Sequence, residues 1–414
     1  MNIAFLLEVV AAIANALLVT SALLLTVPAV VLLIQLTTAW PIRRQKLDGA
    51  LSDDRSSEVD RARLAVLMPA HNEAAGIAVA IDAVKCQLRP GDRLLVVADN
   101  CHDDTAEVAV NAGAQVARRS DVQRRGKGYA LDFGVRWLAA DPPEVLIVID
   151  ADCKVHPGTL NSLAWACMTH QRPIQALYLM RSTPGASLKT RIAEFAWTVK
   201  NHARALGNQR LGMPCQLMGS GMAFTWSQVS QAPLASGHLV EDLQLGLHMA
   251  AIGKPPYFCP DAFVTSFFPV SEDGLAAQRT RWEHGYLSVM FTHGPQLLCQ
   301  AVLKGRVAPL FVAVDLCVPP IASLLLMQIG SLLCCALFMA LSGYVLPLAI
   351  AILALAATMF ALGLGWTRFG RHIISLKDLI GIPAYVVGKI PMYLSALRRR
   401  QVEWIRTRRD DDSA

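Results

Sequence analysis

Long uncharged stretches at both ends of this chain enclose a middle region in which short apolar runs alternate with helical spacing. Residues 9–42 carry no charged side chain. A helix rising about 1.5 Å per residue needs only about 20 residues to cross a hydrocarbon core, so one crossing helix fits there. Two tight spans are the alternative, although Pro28 is the only helix-breaker before Pro41 at the end of the stretch. The run is too long for the apolar core of a signal peptide and no basic segment precedes it, so it reads as a retained anchor. A second uncharged stretch, residues 316–367, has room for a helical hairpin turning at Ser342-Gly343-Tyr344 and Pro347. Residues 379–397 are also apolar, but Pro383, Gly388, Lys389 and Pro391 interrupt them. Freed backbone groups are costly in lipid, which predicts an interfacial or re-entrant segment here rather than a third crossing in this region.

Between these ends, residues 64–68, 94–98 and 145–149 are short runs rich in Val, Ile and Leu and bounded by polar turns, which predicts strands. Residues 74–86, 104–112 and 128–138 carry helical spacing. Continuously apolar strands alternating with helices predict an α/β fold, its mostly parallel sheet covered on both faces. The division expected is an anchor at 1–42, a catalytic domain at 43–306, and a hairpin, interfacial segment and basic tail at 307–414.

Composition agrees with a membrane protein carrying a sizeable water-soluble domain. Apolar residues make up 54% and charged residues 17%, with a mean hydropathy of +0.39, which excludes disorder, collagen-like structure and a small disulfide scaffold. The net charge of +6 does not call for nucleic acid, because many basic residues flank apolar segments: Arg43, Arg44 and Lys46, then Arg398, Arg399, Arg400, Arg406, Arg408 and Arg409. Basic flanks mark the cytoplasmic side of a span. A two-span hairpin returns the tail to the side of Arg43 and Arg44, whereas a further crossing would export it. The ten cysteines form no CxxC pair, which argues for reduced, mostly buried thiols.

In open α/β sheets ligands sit at the carboxyl ends of the strands, and those ends are polar here: Pro69-Ala70-His71-Asn72-Glu73, Asp99-Asn100-Cys101-His102-Asp103-Asp104 and Asp150-Ala151-Asp152. In an extended strand residues i and i+2 face one side, so Asp150 and Asp152 would present two hard oxygen ligands suited to Mg²⁺ or Mn²⁺. Helix capping is the competing explanation, for Asp99 as well. Lys127, between Gly126 and Gly128, could meet an anion at a helix start or be a plain basic turn. Gly219, Ser220 and Gly221 allow close backbone approach. Glu241 and Asp242 open a helical stretch, where the helix dipole favours carboxylates in any case. Gln278, Arg281 and Trp282 share one face of a predicted helix.

Together and in this order these segments resemble the family 2 inverting glycosyltransferases, the membrane-bound group that includes cellulose, hyaluronan and poly-N-acetylglucosamine synthases, over about residues 62–290. The resemblance implies a GT-A, Rossmann-like catalytic domain with N- and C-terminal transmembrane helices. It implies that Pro69, Glu73, Asp99, Lys127, Asp150 and Asp152 hold a nucleotide sugar, in that family a UDP-sugar, with Asp152 on the metal. Asp242, beside Glu241, would be the general base. Gln278, Arg281 and Trp282 would close on the diphosphate and acceptor, and Gly219–Gly221 would line the acceptor site. The implied acceptor is a glycan or a lipid-linked molecule in exopolysaccharide or cell-envelope assembly, with polysaccharide-assembly proteins as partners. The implied location is the bacterial inner membrane with the catalytic domain in the cytoplasm.

Three rival readings compete. A transporter is disfavoured because the spans carry no charged residues of the kind substrate pathways use. A nucleotidyltransferase gives no reason for Gln278–Trp282. A non-catalytic nucleotide-sugar-binding membrane protein would not need Asp152, Asp242, Arg281 and Trp282 together. A ceramide-type glycolipid stays open as acceptor. Residues 187–204, apolar at helical spacing with a basic face, read either as a bilayer-surface helix or as a core-facing one.

Overall fold

The computed structural model describes residues 3–40, 61–269 and 271–398. Arg43, Arg44 and Lys46, and in the tail Arg399, Arg400, Arg406, Arg408 and Arg409, lie outside the described residues, as does the side chain of Arg398. The three apolar runs are strands: β1 (Leu64–Ala70), β2 (Arg93–Asp99) and β4 (Val145–Val148). Five further strands complete the sheet: β3 (Gln115–Arg119), β5 (Lys154–Val155), β6 (Ile174–Arg181), β7 (Met222–Thr225) and β8 (Tyr257–Phe267). Their order is β3-β2-β1-β4-β7-β6-β8-β5. The β3-β2-β1-β4 half is parallel, β7 runs antiparallel to both β4 and β6, and β6 is parallel to β8.

Pleating sends alternate side chains of β1 into two separate cores. Val66 and Met68 pack with Ile77, Ile81 and Leu163 on one face, and Ala65 and Leu67 pack with Leu131, Val135 and Leu138 on the other. Fully burying such a side chain is worth roughly 1.5–3 kcal/mol, so continuous apolar runs are what a sheet covered on both faces requires. The covering helices are Ile77–Lys85, Thr105–Asn111, Lys127–Leu138 and Thr159–His170. Strand register aligns the polar strand ends. Ala70 lies level with Ala98, and Leu67 with Val148, so the carboxyl ends of β1, β2 and β4 emerge along one edge.

Among the described residues three helices are long and apolar enough to cross a membrane: Phe5–Thr38, Ile321–Ser342 and Leu346–Gly370. The N-terminal run is one helix, continuous through Pro28, rather than two tight spans. The hairpin turns at Gly343, whose φ of 77° suits the left-handed cap of the first arm. Residues 379–397 break into short pieces, Asp378–Gly381, Ile382–Val387 and Ile390–Arg398, none long enough to cross.

Residues 187–204 take the core-facing alternative. Trp197 Nε1 donates to Tyr178 O of β6 at 3.2 Å, and Glu194 accepts from Ser182 N at 2.8 Å. Ile192, Phe195 and Val199 turn the other way onto Leu32, Leu36 and Phe369. The helix Leu188–Thr198 and the π-helical turn Val199–Arg204 therefore join the sheet to the apolar helices. At Gly207 a Cβ would stand 2.1 Å from Gln35 O, so only glycine admits this approach of the N-terminal helix. A buried polar network locks the junction. Arg204 Nε donates to Gln35 Oε1 at 2.8 Å and its Nη2 to Asp315 Oδ1 at 3.0 Å, and Gln216 Nε2 reaches Asp315 Oδ2 at 2.6 Å.

Candidate active site

A cleft of about 650 Å³ opens at the carboxyl edge of β1, β2 and β4. Pro69, Glu73, Asp99, Lys127, Asp150, Asp152, Gly219, Glu241, Asp242, Gln278, Arg281 and Trp282 all line it, brought together from across more than half of the chain. Ser220 and Gly221 do not. Ser220 is wholly buried and its Oγ accepts from Asp150 N at 3.1 Å. Gly221 donates to Val148 O at 2.9 Å and accepts from Ala176 N at 2.8 Å. These two residues hold the floor from behind, so only Gly219 of the predicted glycine segment reaches the cavity.

The β1 and β2 ends are tied by local turns. Asn72 and Asn100 have φ of 54° and 52°, left-handed conformations that asparagine tolerates better than most residues. Asn72 Oδ1 accepts from His102 N at 2.7 Å, and the His71 ring meets Asp99 O at 2.7 Å. Asp99 is largely buried and accepts from Arg119 Nη1 at 2.6 Å, its register partner on β3 being that same arginine. The sequence reading missed Arg119, because β3 is a half-exposed edge strand without an apolar run.

At the end of β4 the pairing stops at Val148, and Asp150 to Asp152 form a turn. The two carboxylates reach one cleft through that turn, not through strand pleating as the i, i+2 spacing suggested. Carboxylate oxygens of Asp150 and Asp152 and the Cys153 thiol lie within 4.8 Å of one another. Burial, and then Asp152, push the Cys153 thiol well above its usual range. Cys153 is buried and does not line the cleft, whereas both carboxylates do and offer a pair of hard oxygen donors. Ser266 Oγ donates to Asp152 Oδ2 at 3.2 Å.

Lys127 is ion-paired with Asp150, donates to Gly219 O at 2.8 Å and stands 4.0 Å from Glu241. Burial opposes its charge, but Asp150 and Glu241 outweigh that and hold the ammonium well above its ordinary value. Gly219, at φ 92°, is where these groups converge. A Cβ there would lie 3.3 Å from Asp242 Oδ2, 3.5 Å from Lys127 Nζ and 3.9 Å from Asp150 Oδ2. Glu241 and Asp242 stand in the first turn of the helix Glu241–Ala251. Burial, and then the neighbouring Asp242, push the Glu241 carboxyl up to about 7.

The helix Glu272–Leu303 supplies the facing wall. Trp282 packs against Trp197 with ring centres 4.8 Å apart. Arg281 Nε and Gln278 Oε1 are buried with no hydrogen-bond partner among the described residues. Unpaired buried polar atoms are uncommon and costly, and both of these belong to residues that line the cleft. Tyr178, Trp197, Lys200, Gln216 and Tyr286 also line the cleft and went unread in the sequence. Residues 197–204 announced only a helix with a basic face.

A mixed sheet with acids at its carboxyl edge and helices on both faces is a GT-A fold, the class of the nucleotide-sugar-dependent glycosyltransferases. The chain belongs to the family described as Glycosyltransferase like family 2, which matches residues 62–285. It is 40% identical over 98 residues to an uncharacterized glycosyltransferase of Mycobacterium bovis, covering 24% of this chain and 40% of that one. It is also 31% identical over 108 residues to an uncharacterized protein of Methanocaldococcus jannaschii, covering 26% of this chain and 42% of that protein. The chain thus spans about two fifths of the length of the curated relatives it matches. A mannosyltransferase of Pyrobaculum calidifontis, solved in complex with GDP-Man and Mn²⁺, superposes with a TM-score of 0.52 at 16% identity, over 92% of this chain and 99% of that one. That likeness is one of fold.

Proposed function

We infer that this protein is a membrane-bound, metal-dependent inverting glycosyltransferase that moves a sugar from a nucleotide sugar, a UDP-sugar by the family resemblance, to a glycan or lipid-linked acceptor in cell-envelope assembly. The observation that carries this reading is the single cleft in which Asp150 and Asp152, Lys127, Asp242, Arg281 and Gln278 meet. The apolar helices support attachment to a bilayer, and the mannosyltransferase neighbour supports a nucleoside-diphosphate-sugar donor. Assignment to the inner membrane with the cleft in the cytoplasm rests on the basic flanks, and the division at 43–306 on the family match.

Asp152, with Asp150, would hold Mg²⁺ or Mn²⁺, since their carboxylates are close and both line the cleft. When bound, such a cation stabilises the charge that develops on a departing diphosphate. Lys127 keeps Asp150 in place and offsets its charge. Arg281 stabilises the leaving group and Gln278 hydrogen-bonds the substrate, both from the cleft wall. Asp242 Oδ2 takes the proton of the attacking hydroxyl, a role typically worth about 10²–10⁴-fold. Glu241 carries its proton up to about neutral pH, which keeps the pair from holding two full charges side by side. Direct displacement with the base opposite the leaving group inverts the anomeric centre, so an α-linked donor gives a β-linked product. Asp99, Glu73 and Pro69 then border the nucleotide, and Trp282 the acceptor.

The test is to incubate purified protein with a panel of nucleotide sugars, Mg²⁺ or Mn²⁺ and a membrane lipid extract, and identify products by mass. Asp242→Asn is expected to retain UDP and metal binding and to lose transfer. Turnover persisting in that variant removes Asp242 from the role of base.

A further inference from the structure

The proposed transfer reaction leaves one cation of the cleft, Lys200, without a role. Lys200 sits in the π-helical turn Val199–Arg204 and lines the cleft beside Gln216 and Tyr286. Its Nζ stands 5.7 Å from the ring centre of Trp197 and 5.6 Å from that of Tyr286. Among the described residues it forms no ion pair, whereas Lys127 is neutralised by Asp150 and Lys389 by Glu283. Aromatic faces attract a cation without cancelling its charge. Lys200 thus has no carboxylate at ion-pair distance among the described residues, and an anionic group entering the cleft could form a charge-assisted hydrogen bond with it.

Its place in the cleft says what it faces. Trp197, over whose ring the ammonium lies, packs on Trp282, and Tyr286 stands one turn beyond Trp282 on the facing helix. Lys200 therefore stands by Trp282, the residue that the proposed reaction sets on the acceptor. The turn that carries it is also the one that packs on the apolar helices, with Val199 and Ala203 against Leu32 and Leu36 and Arg204 bonded to Gln35. π-helical turns of this kind recur at functional sites. Trp197 and Trp282 add a flat apolar wall next to the cation.

We propose that Lys200 binds a phosphate group on the acceptor, so that the acceptor is a phosphorylated molecule entering from the side of the apolar helices. This rests on the glycosyltransferase reading and deepens it by naming the acceptor's chemical class. The phosphate belongs to a lipid headgroup or to a water-soluble phosphate ester, and the two are separable by experiment.

The full-length protein in phosphatidylcholine nanodiscs, with UDP and Mn²⁺ present, is titrated with farnesyl phosphate, with farnesol and with glycerol 3-phosphate, and binding is followed by tryptophan fluorescence. Wild type is expected to bind farnesyl phosphate about tenfold or more tightly than farnesol, the scale of a hydrogen bond to a charged group. Lys200→Met, which keeps the apolar stem, is expected to erase that preference, and Lys200→Arg to retain it. Glycerol 3-phosphate binding as tightly as farnesyl phosphate, with the same dependence on Lys200, supports the phosphate contact and assigns it to a soluble acceptor. A preference that survives in Lys200→Met overturns the proposal, as does a loss of UDP affinity in that variant, which moves Lys200 to the donor. Absence of Mn²⁺-dependent UDP binding in wild type points instead at the glycosyltransferase reading.

Discussion

The cleft and the polar network beneath it use the same kinds of buried group to opposite ends. Under the cleft, Arg204 is met by Gln35 and Asp315, and Asp315 accepts in turn from Asn208 and Gln216. In the cleft, Arg281 has a buried Nε with no partner among the described residues, and Gln278 a buried Oε1 in the same state. The contrast teaches that charge matched within the protein fastens the sheet to the N-terminal helix, while charge left unmatched is available to a substrate.

The sharpest way to break the comparison is to remove one partner on each side. Asp315→Ala leaves Arg204 buried and unpaired, which is expected to cost about 3–5 kcal/mol and to lower the thermal midpoint in detergent markedly. Arg281→Gln is expected to leave that midpoint unchanged or higher, because an incompletely bonded buried guanidinium is lost. Sugar transfer should meanwhile fall by about 10²–10³-fold, as for loss of a donor to developing charge. If both variants destabilise alike, the distinction between the two regions disappears.

Two smaller effects sharpen the picture inside the cleft. Asp152→Ala is expected to weaken Mn²⁺-dependent UDP binding by about 10–100-fold, read by titration with and without the metal. Unchanged metal dependence would take Asp152 off the cation. Glu241 gives a pH signature. Its carboxyl is raised to about 7 in the folded protein, so the folded chain keeps a proton that the unfolded chain releases in the usual carboxylate range. Stability is therefore full below that range and falls as pH rises through about 7, by at most about 1.4 kcal/mol per pH unit. Glu241→Gln should remove this step from a plot of thermal midpoint against pH; a step that persists belongs to another group.

How much of this was legible beforehand differs between the two halves of the sheet. β1, β2 and β4 are continuous apolar runs, so their ends and the residues after them could be read directly. β3 is a half-exposed edge, and β6 to β8 pair across long crossovers with a register shift between Ala176 and Leu177, so nothing in a short window marks them. The ion pair of Asp99 joins it to Arg119, twenty residues on and adjacent only because β2 and β3 pair in that register. Lys200 was invisible as a cleft residue for a similar reason. Its helix reads the same whether its basic face meets a bilayer or a cavity.

The pattern of apolar and polar positions alone determined that strands would end in acids, that Glu241 and Asp242 would open a helix, and that two uncharged stretches would form an apolar helix and an apolar helical hairpin. Those properties follow from local periodicity and from residues flanking it. Which acids face one another, that Ser220 and Gly221 brace the floor while Gly219 lets three charges converge, and which arginine finds its partner were decided only by packing. Each depends on atoms far apart along the chain reaching contact distance, and burial sets their charge only once that has happened.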